Sequence, residues 1–534
     1  MDEVDGMHRF ALAIRAASSD TSDALKKAFS RTQIACLTDR EADHLLDRCI
    51  DAVTYWSSTP NAGHGERKEY AAERLRVFVE ALARISVRAT AERAIRIFRL
   101  AIELGKKPAF HHWWLFDALN HLFECALESI PVSRHHELLL DALQFPLATE
   151  VNVGDHGDWP NPAIKLPGIR SQNTVLDRRI DEIIEKIAPC SPKSSSALLR
   201  ILPLLEHEYL TSGELQKIAE KIWGNSPGPT LPETGLVKYV VLLLPSHDVN
   251  ATRELVRTYL FDAHDSGLHE PSLLSDIAGA AQAENVKELP LNNQALDYFN
   301  RLVVWRPHQN EKYLFGLSKY KEKQTRELIG KVLAHSVVPS LSSDARTNEN
   351  FDKLLSFHLE VDSPETVIAF AYFAAADQCF ETLVERVIRK GLQHKDSNNV
   401  AYASYALLKW TELSGQSVTA KLISTLIYMI GSSRSVGLPA LLWTANQMYN
   451  KSYLSERDVD ELVKTLPVIF DDASYRNVLH TSRDAVSISL LRAACVRLAR
   501  DLAEKTNIQD EALLRLMEEA RSDPLPEVRF AAAN

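Results

Sequence analysis

The residues best placed to do chemistry together in this sequence are Asp155, His156, Asp158 and Trp159, in the run Asp155-His-Gly-Asp-Trp159. A carboxylate beside a histidine serves as orienter and general base, and a loop that gathers such groups also binds ligands. The plainer reading is structural: Asp155 and Asp158 make Asx turns, and Trp159 anchors the loop on neighbouring helices. Other histidine groups are less suited to chemistry. His111 and His112 are adjacent, so they point to different faces of a helix and do not share a metal. His135-His136-Glu137 reads as an exposed first helical turn. His264, Asp265, His269 and Glu270 surround Ser266-Gly267, yet the histidines lack the three- or four-residue spacing of a helical zinc site. Neither GxxxxGK[ST] nor GxGxxG occurs, and HExxH, an EF-hand loop and GxSxG are likewise absent. This disfavours nucleotide hydrolysis, zinc proteolysis and acyl transfer by their common routes. No catalytic residue, cofactor or metal is assigned.

Charge singles out a second set. The formal net charge is −10, which opposes non-specific coating of nucleic acid. Between Tyr70 and Lys107, however, nine Arg or Lys face four acids, so this stretch is near +5 and the remainder near −15. Arg84 and Arg88 are four apart, and Arg93, Arg96 and Arg99 are three apart, so each set lies along one helical face. The alternatives are an outer face paired with acids elsewhere and a site for nucleic acid or an acidic partner. Rings and cations also interleave from Trp305-Arg306-Pro307-His308 through Tyr313, Phe315 and Tyr320, beside Lys312, Lys319, Lys321, Lys323 and Arg326. Glu311, Glu322 and Glu327 dilute that field, which favours a core with a solvated face over base stacking.

The elements that must position these residues are helical. In Ala91–Leu104, apolar residues at 94, 95, 97, 98, 101, 102 and 104 form one stripe with the arginines opposite. Similar stripes recur across 195–205, 237–244, 366–375, 401–413, 486–502 and 511–520, each closed by a Gly, Pro, Asn or Asp break. Ser363-Pro364-Glu365 predicts an N-cap with Pro in the first turn, and Asp396 predicts the start before Val400. Glycine is scarce, 19 in 534, which suits neither hairpins nor phosphate-cradling loops. No apolar run reaches the roughly 18–20 residues of a membrane span. The acidic start Met1-Asp-Glu-Val-Asp is unlike a secretory signal, and the six scattered Cys read as reduced thiols, so a cytoplasmic protein is expected.

Amphipathic helices with no sheet to cover must pack on one another, and over 500 residues exceed one bundle core. The expected fold is all-α, a superhelical array of antiparallel helix pairs. Ala94, Phe98 and Ala101 have the small–aromatic–small spacing of the second helix in a tetratricopeptide repeat. The end, Asp523-Pro-Leu-Pro-Glu-Val-Arg-Phe-Ala-Ala-Ala-Asn534, resembles the turn and second-helix opening of a HEAT repeat. Forty-two residues earlier, the run from Asp484 places Val486 opposite Val528, within the usual repeat of about 40–47 residues. Residues 1–150 are expected to form an N-terminal array and 151–175 a long Pro/Gly/Trp loop. Residues 176–224 form a helical segment, 225–235 a flexible joint, and 236–534 a C-terminal array ending in the HEAT-like repeat. The apolar end at Phe530–Asn534 is expected either to dock a partner or to continue into a longer chain.

One broader resemblance follows from the helix pair of residues 73–104, Trp113-Trp114-Leu-Phe, residues 138–147 and Trp159-Pro-Asn-Pro162. This succession resembles helical regions of large bacterial defence proteins that join a sirtuin-like or NTPase module to helical repeats. The resemblance implies a sensor or scaffold portion of an antiviral system. The NAD loops and Walker lysine of those modules have no counterpart here. The leading expectation is a non-catalytic, protein-binding scaffold whose partner is another protein or another module of the same system, with no membrane involved. The alternative is nucleic-acid contact through residues 74–107, and the third reading is an enzyme of unfamiliar type using the 155–159 loop.

Overall fold

The computed structural model describes residues 6–17, 22–58, 66–105, 113–134, 138, 295–304, 319–361, 363–432, 437–475, 485–506 and 510–533. Among the described residues all regular structure is helical and no strand occurs, so the fold is all-α. The chain forms two compact units. One comprises Met1–Tyr209, Phe470–Val496 and Arg515–Asn534; the other comprises Leu210–Ile469 and Arg497–Leu514. These units are discontinuous in sequence, whereas the sequence suggests consecutive segments; the expected joints at 151–175 and 225–235 lie outside the described residues.

The first unit begins with α1 (Gly6–Ala16), α2 (Ser22–Ala28), α3 (Arg31–Ala35) and α4 (Asp39–Ser58), followed by α5 (Glu66–Ile85), α6 (Ala91–Gly105) and α7 (Trp113–Glu128). A capping box starts α4: the Glu41 amide donates to Thr38 Oγ1 at 3.3 Å, and the Thr38 amide donates to Glu41 Oε2 at 2.8 Å. Helix α5 packs on α4 and α7, α6 packs on α7, and α1 lies against α2, α4 and α5. The α6 stripe is buried as its period requires, and Phe98 meets Phe123 of α7 edge-on at 4.9 Å. Where α5 faces α7, Glu80 takes a hydrogen bond from His121 Nδ1 at 3.0 Å and an ion pair from Arg84 at 2.8 Å. Burial opposes the Glu80 charge, but His121 and Arg84 outweigh it and hold the carboxyl at about 2. Burial likewise opposes protonation of His121, yet hydrogen bonds to Cys125 and Glu80 raise it to about 10.

The same unit contains the HEAT-like end. Helix α18 (Glu511–Arg521) stops before Asp523-Pro524, and α19 (Pro526–Ala533) follows, with Val528 fully buried. Asp523 is the hub of this turn. Its carboxylate, with no exposed side-chain surface, accepts from Tyr475 Oη at 2.9 Å, Arg492 Nε at 2.8 Å and the Leu525 amide at 2.9 Å. Arg492 also stacks 3.7 Å over the Phe470 ring and donates to the Phe470 and Ala473 carbonyls. It thereby satisfies acceptors left unpaired at the end of α16 (Glu456–Asp472). A burial-satisfied turn of this kind fixes how α18 and α19 meet.

The second unit runs through α8 (Ala295–Val304), α9 (Lys319–Val332) with a π-helical turn at Leu333–Val337, and α10 (Asn348–Val361). Next come α11 (Thr366–Ala376), α12 (Glu381–Leu392), α13 (Ser397–Ser414), α14 (Gln416–Gly431) and α15 (Leu438–Asn450). Alternate helices form rows. The π turn contacts α11, α11 contacts α13 and α13 contacts α15, while α12 contacts α14 beside them. Stacked helix pairs produce this pattern, because each helix packs on its sequence neighbour and on the equivalent helix of the next pair. Helix α11 (TVIAFAYFAAA) is buried almost all round, as a central member of such a row must be. Phe351, Phe370, Phe373 and Phe380 cluster beneath it.

Helix starts agree with the sequence at one position and differ at another. Asp396 accepts from the amides of Asn398 and Asn399 at 3.0 and 3.1 Å and caps α13. At Ser363-Pro364-Glu365, however, the chain makes a preliminary turn and α11 begins only at Thr366. The Ser363 hydroxyl donates to Glu365 Oε2 at 2.8 Å instead of capping. Buried Glu365 needs that donor and Lys331, 3.4 Å away, to keep its charge satisfied.

Five free thiols are described: Cys49, Cys125 and Cys495 are buried, Cys36 is half-buried, and Cys379 is exposed. No helix among the described residues is long and apolar enough to cross a membrane.

Candidate functional site

Asp155, His156, Asp158 and Trp159 lie outside the described residues, as do His111, His112, His135, His136, the 264–270 cluster and Trp305–His308. Among the described residues no group of three His, Cys, Asp or Glu is arranged to hold a metal ion.

The basic stretch is described, and the chain uses much of it internally. Arg84 bonds Glu80 one turn back in α5. Arg88, in the 3-10 turn Ser86–Arg88, leaves that face altogether. Its guanidinium donates to the Ile34 and Leu37 carbonyls at 2.9 Å each and pairs with Asp39 at 2.6 Å, with only 5% of its side chain exposed. Arg93 of α6 reaches across to α4 and pairs with Asp43 at 2.8 Å and with Asp47. Arg96 and Arg99 are exposed on α6. Arg84, Arg88 and Arg93 are thus held by acids of this unit while Arg96 and Arg99 are exposed, and spacing along one helix did not show that α4 supplies the acids for Arg88 and Arg93. Farther on, Lys323 pairs with Glu327 at 3.6 Å and Arg326 with Glu360 at 3.0 Å.

The second unit holds an arrangement that sequence reasoning missed. His335 of the π turn, Tyr405 of α13 and Trp443 of α15 stand in file, Tyr405 and Trp443 on successive members of one helix row. Their ring centroids are separated by 6.2 and 6.1 Å. Trp443 is 41% exposed and Tyr405 is half-buried. Under the file lies a fixed charge. Lys409 Nζ sits 5.5 Å from the Tyr405 ring centroid and donates to Glu412 Oε2 at 2.7 Å, while Lys451 also pairs with Glu412. Burial works against the Glu412 charge, but the two lysines outweigh it and lower its pKa. Burial, reinforced by the charges of Lys331 and Lys409, depresses His335 to about 4, so its ring is neutral at pH 7. Its Nε2 is buried without a hydrogen-bond partner. π-helical turns are concentrated at functional positions, and this one carries the first ring of the file. The residues are 70 and 38 positions apart, so no local pattern announces them. Rings that meet from separate elements offer binding surface; nothing in the group is arranged as nucleophile and base.

No protein-family model matches this sequence, and no curated protein matches it. Among solved structures, that of the karyopherin Kap121p bound to the SUMO protease Ulp1p is similar over 99% of this chain and 58% of its own, with 12% identity and a TM-score of 0.43. This chain therefore spans less than two thirds of that protein, and a likeness at that score carries no functional argument.

Proposed function

We propose that the protein is a non-catalytic helical-repeat scaffold or sensor that binds an extended segment of another protein along the α11–α13–α15 row. The observation that carries this reading is the half-open file of Tyr405 and Trp443 on adjacent row members, 6.1 Å apart. Same-face side chains of an extended peptide recur at about 6.6 Å, two residues at about 3.3 Å each, so alternate residues of such a segment meet successive rings. Lys409, held by Glu412, lies against the Tyr405 ring, which lowers the ordering cost of binding at that ring.

The test is a photo-crosslinking benzoylphenylalanine in place of Trp443, installed in the native host, with captured segments identified by mass spectrometry. One recurrent segment is expected, surviving a high-salt wash and lost when Tyr405→Ala is added. The control site is Tyr428, 73% exposed on α14. Equal capture from both positions, or none from position 443, sinks the reading.

The alternative, contact with nucleic acid, retains Arg96 and Arg99 as the exposed members of its basic face. A steep loss of oligonucleotide binding with salt that vanishes in Arg96→Glu/Arg99→Glu would favour it. A cytoplasmic place in a bacterial antiviral system is the setting implied by the resemblance to defence proteins. It predicts that removing this chain from its host restores plaque formation by a restricted phage.

A further inference from the structure

The first unit has a cleft of about 780 Å³ bounded by α1, α4 and α5. That volume is in the range of small-molecule sites, roughly 300–1,000 Å³. Helix α4 presents one stripe to it at i, i+4, i+7 and i+11: His44, Arg48, Asp51 and Tyr55. Helix α1 adds Arg15 and helix α5 adds Arg74 and Phe78, with Trp56 beside them. Three guanidinium groups therefore converge on a space that holds one carboxylate, Asp51. This occurs in a chain whose net charge is −10.

Much of the basic surface around the cleft is already committed to acids of the unit. Arg31, Arg84, Arg88, Arg93 and Arg134 of the same unit each hold a carboxylate. Beyond Asp51, the α4 acids Asp43 and Asp47 lie on the adjoining stripe and are committed to Arg93. Arg48 makes no ion pair or hydrogen bond among the described residues, and Arg74 lies over the Phe78 ring, 5.5 Å from its centroid. Tyr55, 64% exposed, stands edge-on to Trp56 at 5.4 Å. Guanidinium forks match phosphate oxygens in bidentate geometry, and open aromatic faces stack heterocyclic bases.

We infer that this cleft binds a free nucleotide: the phosphates lie on Arg48 and Arg74, the base stacks on the Tyr55–Trp56 side, and Asp51 accepts from a ribose hydroxyl. A half-open cleft of this volume, bounded by three helices, fits one nucleotide better than a strand, which needs a continuing track. The site is separate from the aromatic file of the second unit, and neither inference depends on the other.

The test is calorimetric titration of the full chain with ATP, adenosine, inorganic phosphate and a fifteen-residue oligothymidylate, at about 50 and about 200 mM salt. ATP is expected to saturate one site. Arg48→Glu should weaken it by about tenfold or more, the loss of a charge-assisted contact, and Tyr55→Ala should weaken ATP without changing the response to phosphate. Arg96→Glu, on an exposed position of α6, should change nothing. Arg48 is exposed and makes no ion pair or hydrogen bond among the described residues, so its reversal leaves the fold intact, and circular dichroism checks this. Four results overturn the inference: no ATP binding; ATP binding unchanged in both Arg48→Glu and Arg74→Gln; phosphate binding as tightly as ATP, which marks a bare anion site; or oligothymidylate binding far more tightly with a steep salt slope, which marks a strand site.

Discussion

Arg31 and Glu527, 496 positions apart in sequence, form a two-bonded ion pair: Nη2 meets Oε2 at 2.9 Å and Nε meets Oε1 at 3.3 Å. The same Nη2 reaches Glu128 at 2.9 Å. Burial disfavours the Arg31 charge, yet the hydrogen bond to Glu527 and both carboxylates outweigh it and raise its pKa. Burial likewise opposes the Glu527 charge, and Arg31 more than offsets it. A single guanidinium thus joins the start of the chain to α19 and to the end of α7 within one unit.

Replacing Arg31 by Ala should destabilise that unit by about 1.5–3 kcal/mol, the range for hydrogen bonds to charged groups. A double-mutant cycle with Glu527→Gln should return a coupling of about 0.5–3 kcal/mol by urea unfolding. Additive effects would mean that the pair forms no real tie.

Asp523 should be more sensitive. Asp523→Ala leaves the Tyr475 hydroxyl and the Arg492 guanidinium without their acceptor in a buried turn. The expected loss is about 3–5 kcal/mol, against about 1 kcal/mol for Tyr475→Phe, which removes one hydrogen bond. Equal losses from the two substitutions would show that Asp523 is not the hub.

Helices α12 and α13 approach closely at Gly391, where an added Cβ would lie 2.6 Å from the Ala403 Cβ. Gly391→Ala gains about 1 kcal/mol in helix propensity but forces the rows apart. A net loss of about 1–3 kcal/mol is expected, largely recovered by adding Ala403→Gly. Calorimetry of the single and double variants decides it, and no recovery in the double variant would refute the close approach.

Two histidines should give pH dependences of opposite sign. His121 is raised from 6.5 to about 10 in the fold, so its contribution is complete below pH 6.5 and is lost as pH rises towards about 10. His335 is lowered from 6.5 to about 4, so the unfolded chain takes up a proton that the fold refuses. Stability is therefore lost as pH falls from about 6.5 to about 4. His121→Gln should flatten the alkaline limb of Tm against pH, and His335→Phe the acid limb. If the limbs do not respond separately, the assignments fail.

Local order was legible in the sequence at most places where one helix carried the whole signal, the start at Ser363-Pro364-Glu365 being the exception. The α6 stripe, the Asp396 cap and the Asp523-Pro524 turn all depend on residues within a few positions of one another. Pairings between helices were not legible. Arg88 finds its acceptors in residues 34–39, and Arg93 finds Asp43 and Asp47, so a face expected either to pair with acids elsewhere or to bind a partner is paired at these two positions, with acids that the sequence did not identify. The Tyr405–Trp443 file and the α1–α4–α5 cleft are assembled from separate helices. His44, Arg48, Asp51 and Tyr55 share one face of α4, but nothing in the sequence alone marks that face as the wall of a cleft.

The buried cysteines turn the fold into its own clock. Burial pushes the Cys49 and Cys495 thiols up to about 12, and a thiol reacts only as the exposed thiolate. A disulfide reagent should mark Cys379 at once and the other two only when their helices part from their neighbours. Cys49 backs the α1–α4–α5 cleft and Cys495 does not. A molecule lodged in the cleft would therefore slow one hand of the clock and leave the other running.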